Sequence, residues 1–222
     1  MEFLCGGHPS AVIFDFDGTL YNLKHFVRHL IFSYLPGTLR FRADRKVRKE
    51  FKGCDLGSAD ALYEVFFARF AACAGFKTSA AARQWYFSFY MPLMCRVLKK
   101  YHPARKNMIG AIQNLNKANI PIAVYSDYPC TLQRMEAIGL PCGISKIPAE
   151  HIFGVDNFGA LKPAVRPFRL IADTLGIPCE KVLVIGDKDD TDGAGARAAG
   201  MKFRLVNSYG TVKNAVPAVC DT

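Results

Sequence analysis

The sequence predicts an α/β fold in which a parallel sheet is flanked by helices, with an all-helical segment inserted after the first strand. Three observations carry this. Short apolar runs end in polar turns at Asp15, Ser126 and Asp187. Stretches of three- and four-residue apolar periodicity separate those runs, as in a sheet of parallel strands joined by helices. Residues 22–100 show helical periodicity and no strand signal. Half of the 222 residues are hydrophobic, which is enough for a sizeable core and argues against disorder on compositional grounds.

Ala11 to Phe14 reads as a buried strand opening onto the turn Asp15-Phe16-Asp17-Gly18-Thr19. Leu23, Phe26, Val27, Leu30, Ile31, Tyr34 and Leu35 then form a helical stripe that stops at Pro36-Gly37. A second helix over about Leu39 to Phe51 has a thin stripe of Leu39, Ala43, Val47 and Phe51. A third is marked by Leu62, Tyr63, Phe66, Phe67 and Phe70, and a fourth runs from about Ala82 towards Lys99. A helix over Ala104 to Asn119 leads to the strand Ile120 to Tyr125 and the turn Ser126-Asp127-Tyr128-Pro129. Another helix follows to Gly139, then an irregular stretch through Phe153 and a helix from about Pro163 to Leu175. The run Val182 to Ile185 is a β-branched strand ending at Gly186-Asp187. A short Ala-rich helix closes on Gly200, and Phe203 to Val206 reads as the last strand.

The net charge of +10 is confined to one stretch: residues 22–100 hold 15 Lys/Arg and 5 Asp/Glu, and the remainder holds 14 of each. That predicts a separate structural unit, with 1–21 and 101–222 forming the core. Arg40, Arg42, Arg45, Lys46, Arg48 and Lys49 share its second helix. They form either a solvated face or an attractor for an anionic substrate or polyanion. No nucleic-acid motif or aromatic interleaving accompanies them. The eight cysteines are scattered without a C-x-x-C pair, which predicts reduced thiols serving as small core residues and no zinc site. His8, His25, His29, His102 and His151 show no ligand spacing. No apolar run approaches the roughly 18–20 residues that span a bilayer. Met1 to Ser10 lacks the basic and then apolar regions of a signal peptide, so a cytoplasmic location is expected.

Ligands of open parallel sheets sit beyond the carboxyl ends of the strands, where this chain places Asp15, Asp17, Ser126 and Asp187. Several carboxylates at one point repel one another unless a cation neutralises them. Asp15, Asp17, Asp187 and Asp192 therefore predict a hard ion such as Mg²⁺. Ser126 and Lys162 supply a donor and a fixed positive charge for phosphoryl oxygens. Thr19 and the Gly18 turn add donors. A carboxylate nucleophile beside a second carboxyl permits covalent catalysis with a general acid/base.

This arrangement resembles the haloacid dehalogenase-like superfamily over the whole chain. Asp15-Phe16-Asp17-Gly18-Thr19-Leu20 matches its first signature, Ser126 the second, Lys162 in Leu-Lys-Pro the third, and Gly186-Asp187 with Asp192 the fourth, in the family's order. The resemblance implies a Rossmann-like core and a helical cap at 22–100. It assigns Asp15 as nucleophile and Asp17 as the acid that protonates the leaving group and then activates water. It also implies Mg²⁺ held by the Asp15 side chain, the Asp17 carbonyl and Asp187, and a phosphate gripped by Ser126 and Lys162. Asp192 is either a metal-shell ligand or the partner that orients Lys162.

Three positions depart from the family's pattern: Asp127 after the serine, Ala164 after Lys162-Pro163, and Lys188 after Asp187. Asp127 adds negative charge near the phosphate unless it turns away to cap the next helix. The function so implied is hydrolysis of a small phosphorylated metabolite. A phosphomutase of the same superfamily and a non-catalytic member that binds a polyanion or partner through its basic helix are the alternatives. A dehalogenase has no need of the second acid, Asp17.

Overall fold

The computed structural model describes residues 9–207, so Cys5, His8 and Cys220 lie outside the described residues. Strand β1 (Ala11–Asp15) is followed by α1 (Phe26–Ser33), α2 (Thr38–Glu50), α3 (Ala59–Ala74), α4 (Ser79–Trp85) and α5 (Met91–Tyr101). Then come α6 (Lys106–Lys117), β2 (Ile122–Tyr125), α7 (Thr131–Ala137), α8 (Cys142–Ser145), β3 (Ile152–Phe153), α9 (Val155–Phe158) and α10 (Val165–Leu175). The described residues close with β4 (Val182–Gly186), α11 (Ala194–Ala198) and β5 (Lys202–Leu205).

The strands form one parallel sheet in the order β3-β2-β1-β4-β5. The three central strands are buried throughout, because helices cover both faces, and so their sequences are continuous apolar runs. Alternation still sorts the side chains. Val12, Phe14, Ile122, Val124, Leu183 and Ile185 join one core cluster, whereas Ala11, Ile13, Ala123, Tyr125, Val182 and Val184 join the other. The first cluster runs on into the helical segment through Phe41, Phe66, Phe67, Phe70, Tyr86 and Tyr90.

The structure corrects several sequence expectations. α1 begins at Phe26, because His25 takes a left-handed backbone (φ 67°), and Leu23 is left at the surface. Leu35 and Leu39, which fit the helical stripes, are 70% and 73% exposed. The buried face of α2 is Phe41, Ala43, Asp44 and Val47, so the stripe contains a carboxylate. The fourth helix starts at Ser79, capped by the Thr78 hydroxyl on the Ala81 amide (3.1 Å), and a π-turn at Tyr86–Tyr90 separates α4 from α5. Periodicity reads straight through such a one-residue insertion. Two residues inside the stretch read as irregular pair with β2 as the short edge strand β3. The six cysteines among the described residues are free and half-buried, at the margins of the core and not within it. No helix among the described residues is long and apolar enough to cross a membrane.

Candidate active site

β1 lies between β2 and β4, with Asp15 beside Tyr125 and Phe14 beside Ile185. The carboxyl ends of all three strands therefore reach one level, where Asp15, Asp17 and Asp187 line one crevice and Ser126 lies fully buried beside Asp17. Lys162 arrives from the loop before α10 and is 2% exposed. Its ammonium donates to Asp15 Oδ1 (2.6 Å), Asp192 Oδ1 (2.8 Å) and the Tyr125 carbonyl (3.0 Å). Three acceptors use its three donors. Burial opposes the charge on Lys162, but Asp15, Asp192 and Asp127 outweigh it and hold the ammonium protonated. Asp192 thus pairs with Lys162, and its other oxygen accepts the Lys188 amide (3.2 Å). It is delivered by a π-turn at Asp189–Gly193 directly after β4.

The Thr19 hydroxyl, fully buried, donates to Asp15 Oδ2 (2.8 Å), so its proton orients the carboxylate and is not aimed into open space. Asp15, Asp187 and Asp192 each present a carboxylate oxygen, all within 4.8 Å of one another. Burial and the Asp192 charge push the Asp15 carboxyl up to about 6, and burial with the Asp15 charge does the same to Asp187. The turn that allows this crowding needs Gly18. Its φ is 97°, and a Cβ there would stand 2.2 Å from Asp187 Oδ2.

Asp17 faces a different set of partners. Its Oδ1 takes the Tyr21 hydroxyl (2.6 Å) and the Arg134 guanidinium, and its Oδ2 takes the Ser126 hydroxyl (2.8 Å). Burial would raise this carboxyl, but Arg134 and the two hydroxyls outweigh it and hold Asp17 below the usual carboxylate range. The side chain of Asp17 is therefore ionised and lies outside the three-carboxylate cluster. Arg134, with no exposed surface, also donates to Ser126 Oγ (2.9 Å) and lies over the Phe16 ring. The sequence reading missed it. The available signal was its place on the buried stripe of α7 with Thr131 and Met135.

Asp127 neither turns away nor caps a helix: its Oδ1 accepts the Lys162 amide (2.9 Å). The helical segment closes over this end of the sheet. The Leu161 amide donates to the Cys54 carbonyl (3.0 Å), the Leu56 amide to the Gly159 carbonyl (3.0 Å), and Arg166 pairs with Asp55 (2.6 Å). The charges of α2 divide accordingly. Arg40 lies over the Phe76 ring (4.2 Å). Arg48 bonds to the buried Asp44 (3.1 Å) and to the Asp127 carbonyl (2.6 Å), and stacks on Tyr128 (3.7 Å). Arg45, Arg48 and Lys49, with Lys52 just beyond α2, line the same cavity of about 330 Å³ as Asp15, Lys162 and Asp187. Part of the basic helix is thus a wall of the site.

Comparisons with known proteins agree with this geometry. The chain is 28% identical over 214 residues to a phosphoglycolate phosphatase of Rhodospirillum rubrum, covering 95% of this chain and 84% of that one. Its fold matches a putative hydrolase of Bacillus subtilis bound to magnesium (TM-score 0.60, 17% identity, 90% and 89% of the two chains). It also matches a 2-haloacid dehalogenase of Pseudomonas syringae pv. tomato (TM-score 0.60, 16% identity, 92% and 89%). The profile of the haloacid dehalogenase-like hydrolases spans residues 9–200, and the chain belongs to that family.

Proposed function

We propose that the chain is a Mg²⁺-dependent phosphatase of a small phosphorylated metabolite, that it works through an aspartyl-phosphate on Asp15, and that residues 22–100 act as its cap. The observation that carries this reading is the Asp15 carboxylate, fixed by Lys162 and Thr19 beside two further carboxylates at the floor of a cavity. Asp15, Asp187 and Asp192 are oxygen donors crowded enough to call for a hard cation. Mg²⁺, when bound, offsets the negative charge between a carboxylate nucleophile and a phosphate dianion.

In this mechanism an Asp15 oxygen attacks phosphorus and the bond to the leaving oxygen breaks. Lys162, whose three donors go to Asp15, Asp192 and the Tyr125 carbonyl here, turns one of them to a phosphoryl oxygen when phosphate is bound. The Ser126 hydroxyl, which donates to Asp17 here, turns to the phosphate when one is bound. That removes one of the donors keeping Asp17 ionised, so Asp17 takes up a proton more readily and can pass it to the leaving oxygen. Ionised again, it accepts a proton from the water that cleaves the acyl phosphate. A departing halide needs no proton, so an acid held in this manner favours phosphate-ester chemistry over dehalogenation.

The test is hydrolysis of p-nitrophenyl phosphate with Mg²⁺ and after EDTA. Turnover should stop with chelation and return with added Mg²⁺; indifference to EDTA, or no turnover with Mg²⁺, contradicts the reading. Stability supplies a second readout. The raised Asp15 and Asp187 carboxyls contribute stability below the unfolded value of about 3.9 that is lost as pH rises through about 6. Metal binding offsets that loss only where the groups are ionised. At about 100 times its Kd, Mg²⁺ adds about 2.7 kcal/mol, or about 5–10 °C in Tm for a chain of this size. The shift should be clear at pH 7.5 and should largely vanish at pH 5.

A further inference from the structure

Six cationic and six carboxylate side chains line the cavity, but the cations are not all paired. At its floor, Lys162 is paired with Asp15 and Asp192, and behind it Arg134 is paired with Asp17. Of the cations on the opposite wall, Arg48 is matched by the buried Asp44, and Lys52 pairs with Asp190. Lys188 faces the carboxylates of the floor, Asp187 foremost, which raise its ammonium against burial. On the α2 wall Arg45 and Lys49 remain. They stand one helical turn apart on α2, so their side chains share a face. Both are exposed, and neither has an ion-pair partner among the described residues. They also line an adjoining groove with Arg42 and Lys46, so the positive surface continues outward from the cavity.

The rest of the wall limits what these cations can hold. About 330 Å³ is at the small end for a ligand site. The ring of Tyr128, the aromatic side chain lining it, is already stacked by Arg48 at 3.7 Å and has Arg134 at 5.2 Å, which leaves it a poor platform for a base. A short leaving group fits, and two uncompensated cations opposite the nucleophile select one that is charged. We propose that the substrate is a small phosphate monoester whose leaving group bears a second anionic group, a carboxylate or another phosphate, bound by Arg45 and Lys49. This rests on the phosphatase reading above and extends it to the substrate class.

The experiment compares kcat/KM for three esters with the same two-carbon frame: 2-hydroxyethyl phosphate, phosphoglycolate and ethylene glycol bisphosphate. The wild type should favour at least one charged ester over the neutral one by about tenfold or more, and which one identifies the anion. In Arg45→Ala/Lys49→Ala that preference should fall by about tenfold, mainly through KM. The charge-conserving Arg45→Lys/Lys49→Arg should retain most of it, which a merely structural role would not require. Both side chains are exposed, so the substitutions leave the core intact. A wild type that hydrolyses all three esters without preference, or a double alanine variant that keeps the preference, overturns the proposal while the phosphatase reading stands. Failure to hydrolyse any of the three, or p-nitrophenyl phosphate, with Mg²⁺ overturns both.

Discussion

Asp15→Asn should abolish turnover while leaving the fold intact. The amide keeps the shape of the carboxylate, and Lys162 retains Asp192 and the Tyr125 carbonyl as acceptors. The substitution also removes one of the crowded charges that push Asp15 and Asp187 up to about 6. Metal-free Asp15→Asn should therefore melt at or above the wild-type temperature at pH 7.5, with a smaller gain on adding Mg²⁺ because one ligand is weakened. An amide is a poor nucleophile, so kcat should fall by about 10³-fold or more, the scale on which loss of a covalent nucleophile acts. Steady-state kinetics and a thermal melt on the same sample check both halves. Activity near wild type in a folded sample would remove Asp15 from the chemistry.

The second large effect is on stability. Arg134→Met fills a similar volume but leaves the Asp17 carboxylate without its counter-ion at a site where Arg134 has no exposed surface. Breaking a buried pair from one side costs about 3–5 kcal/mol, and the Tyr21 and Ser126 hydroxyls that remain on Asp17 place this case at the lower end. The sign with pH follows from the lowered Asp17 carboxyl. Its contribution is present above the unfolded value of about 3.9 and is lost as pH falls through the folded one. The gap between wild type and Arg134→Met should therefore be full near pH 7 and narrow below about pH 4. Arg134→Met/Asp17→Asn should recover most of the loss, since the uncompensated charge is then absent. Strictly additive losses in denaturant titrations would show that packing on Phe16, and not the ion pair, is what Arg134 supplies.

What the sequence made legible follows from how the groups are placed. Asp15, Asp17, Gly18 and Thr19 adjoin a strand whose burial is written in its own residues. Ser126 and Asp187 stand at the ends of two more such strands, so a parallel sheet brings them together without knowledge of any side-chain contact. Lys162 and Asp192 follow from the same frame. Arg134 was not legible because its partner lies 117 positions away and an arginine on a short helix resembles a surface residue. Asp44 and Arg48 were hidden inside a charge run. What sets them apart from Arg42 and Lys46 is contact with Tyr86 and Tyr128, which come from distant parts of the chain. In each case the residue occupied an apolar stripe, and a charge on such a stripe demands a buried partner. Leu35 and Leu39 failed in the opposite direction, since periodicity marks a face without saying what covers it.

The central claim is that a phosphoryl group resides on Asp15 during turnover. Enzyme mixed with phosphoglycolate and Mg²⁺ would be quenched in acid within one turnover, digested at low pH and analysed by peptide mass spectrometry. The account predicts one added phosphoryl group on the peptide containing Asp15, labile to hydroxylamine as an acyl phosphate is, and absent from Asp15→Asn. Product formed with no phosphorylated peptide at any quench time, or with the phosphoryl group on another residue, would contradict it.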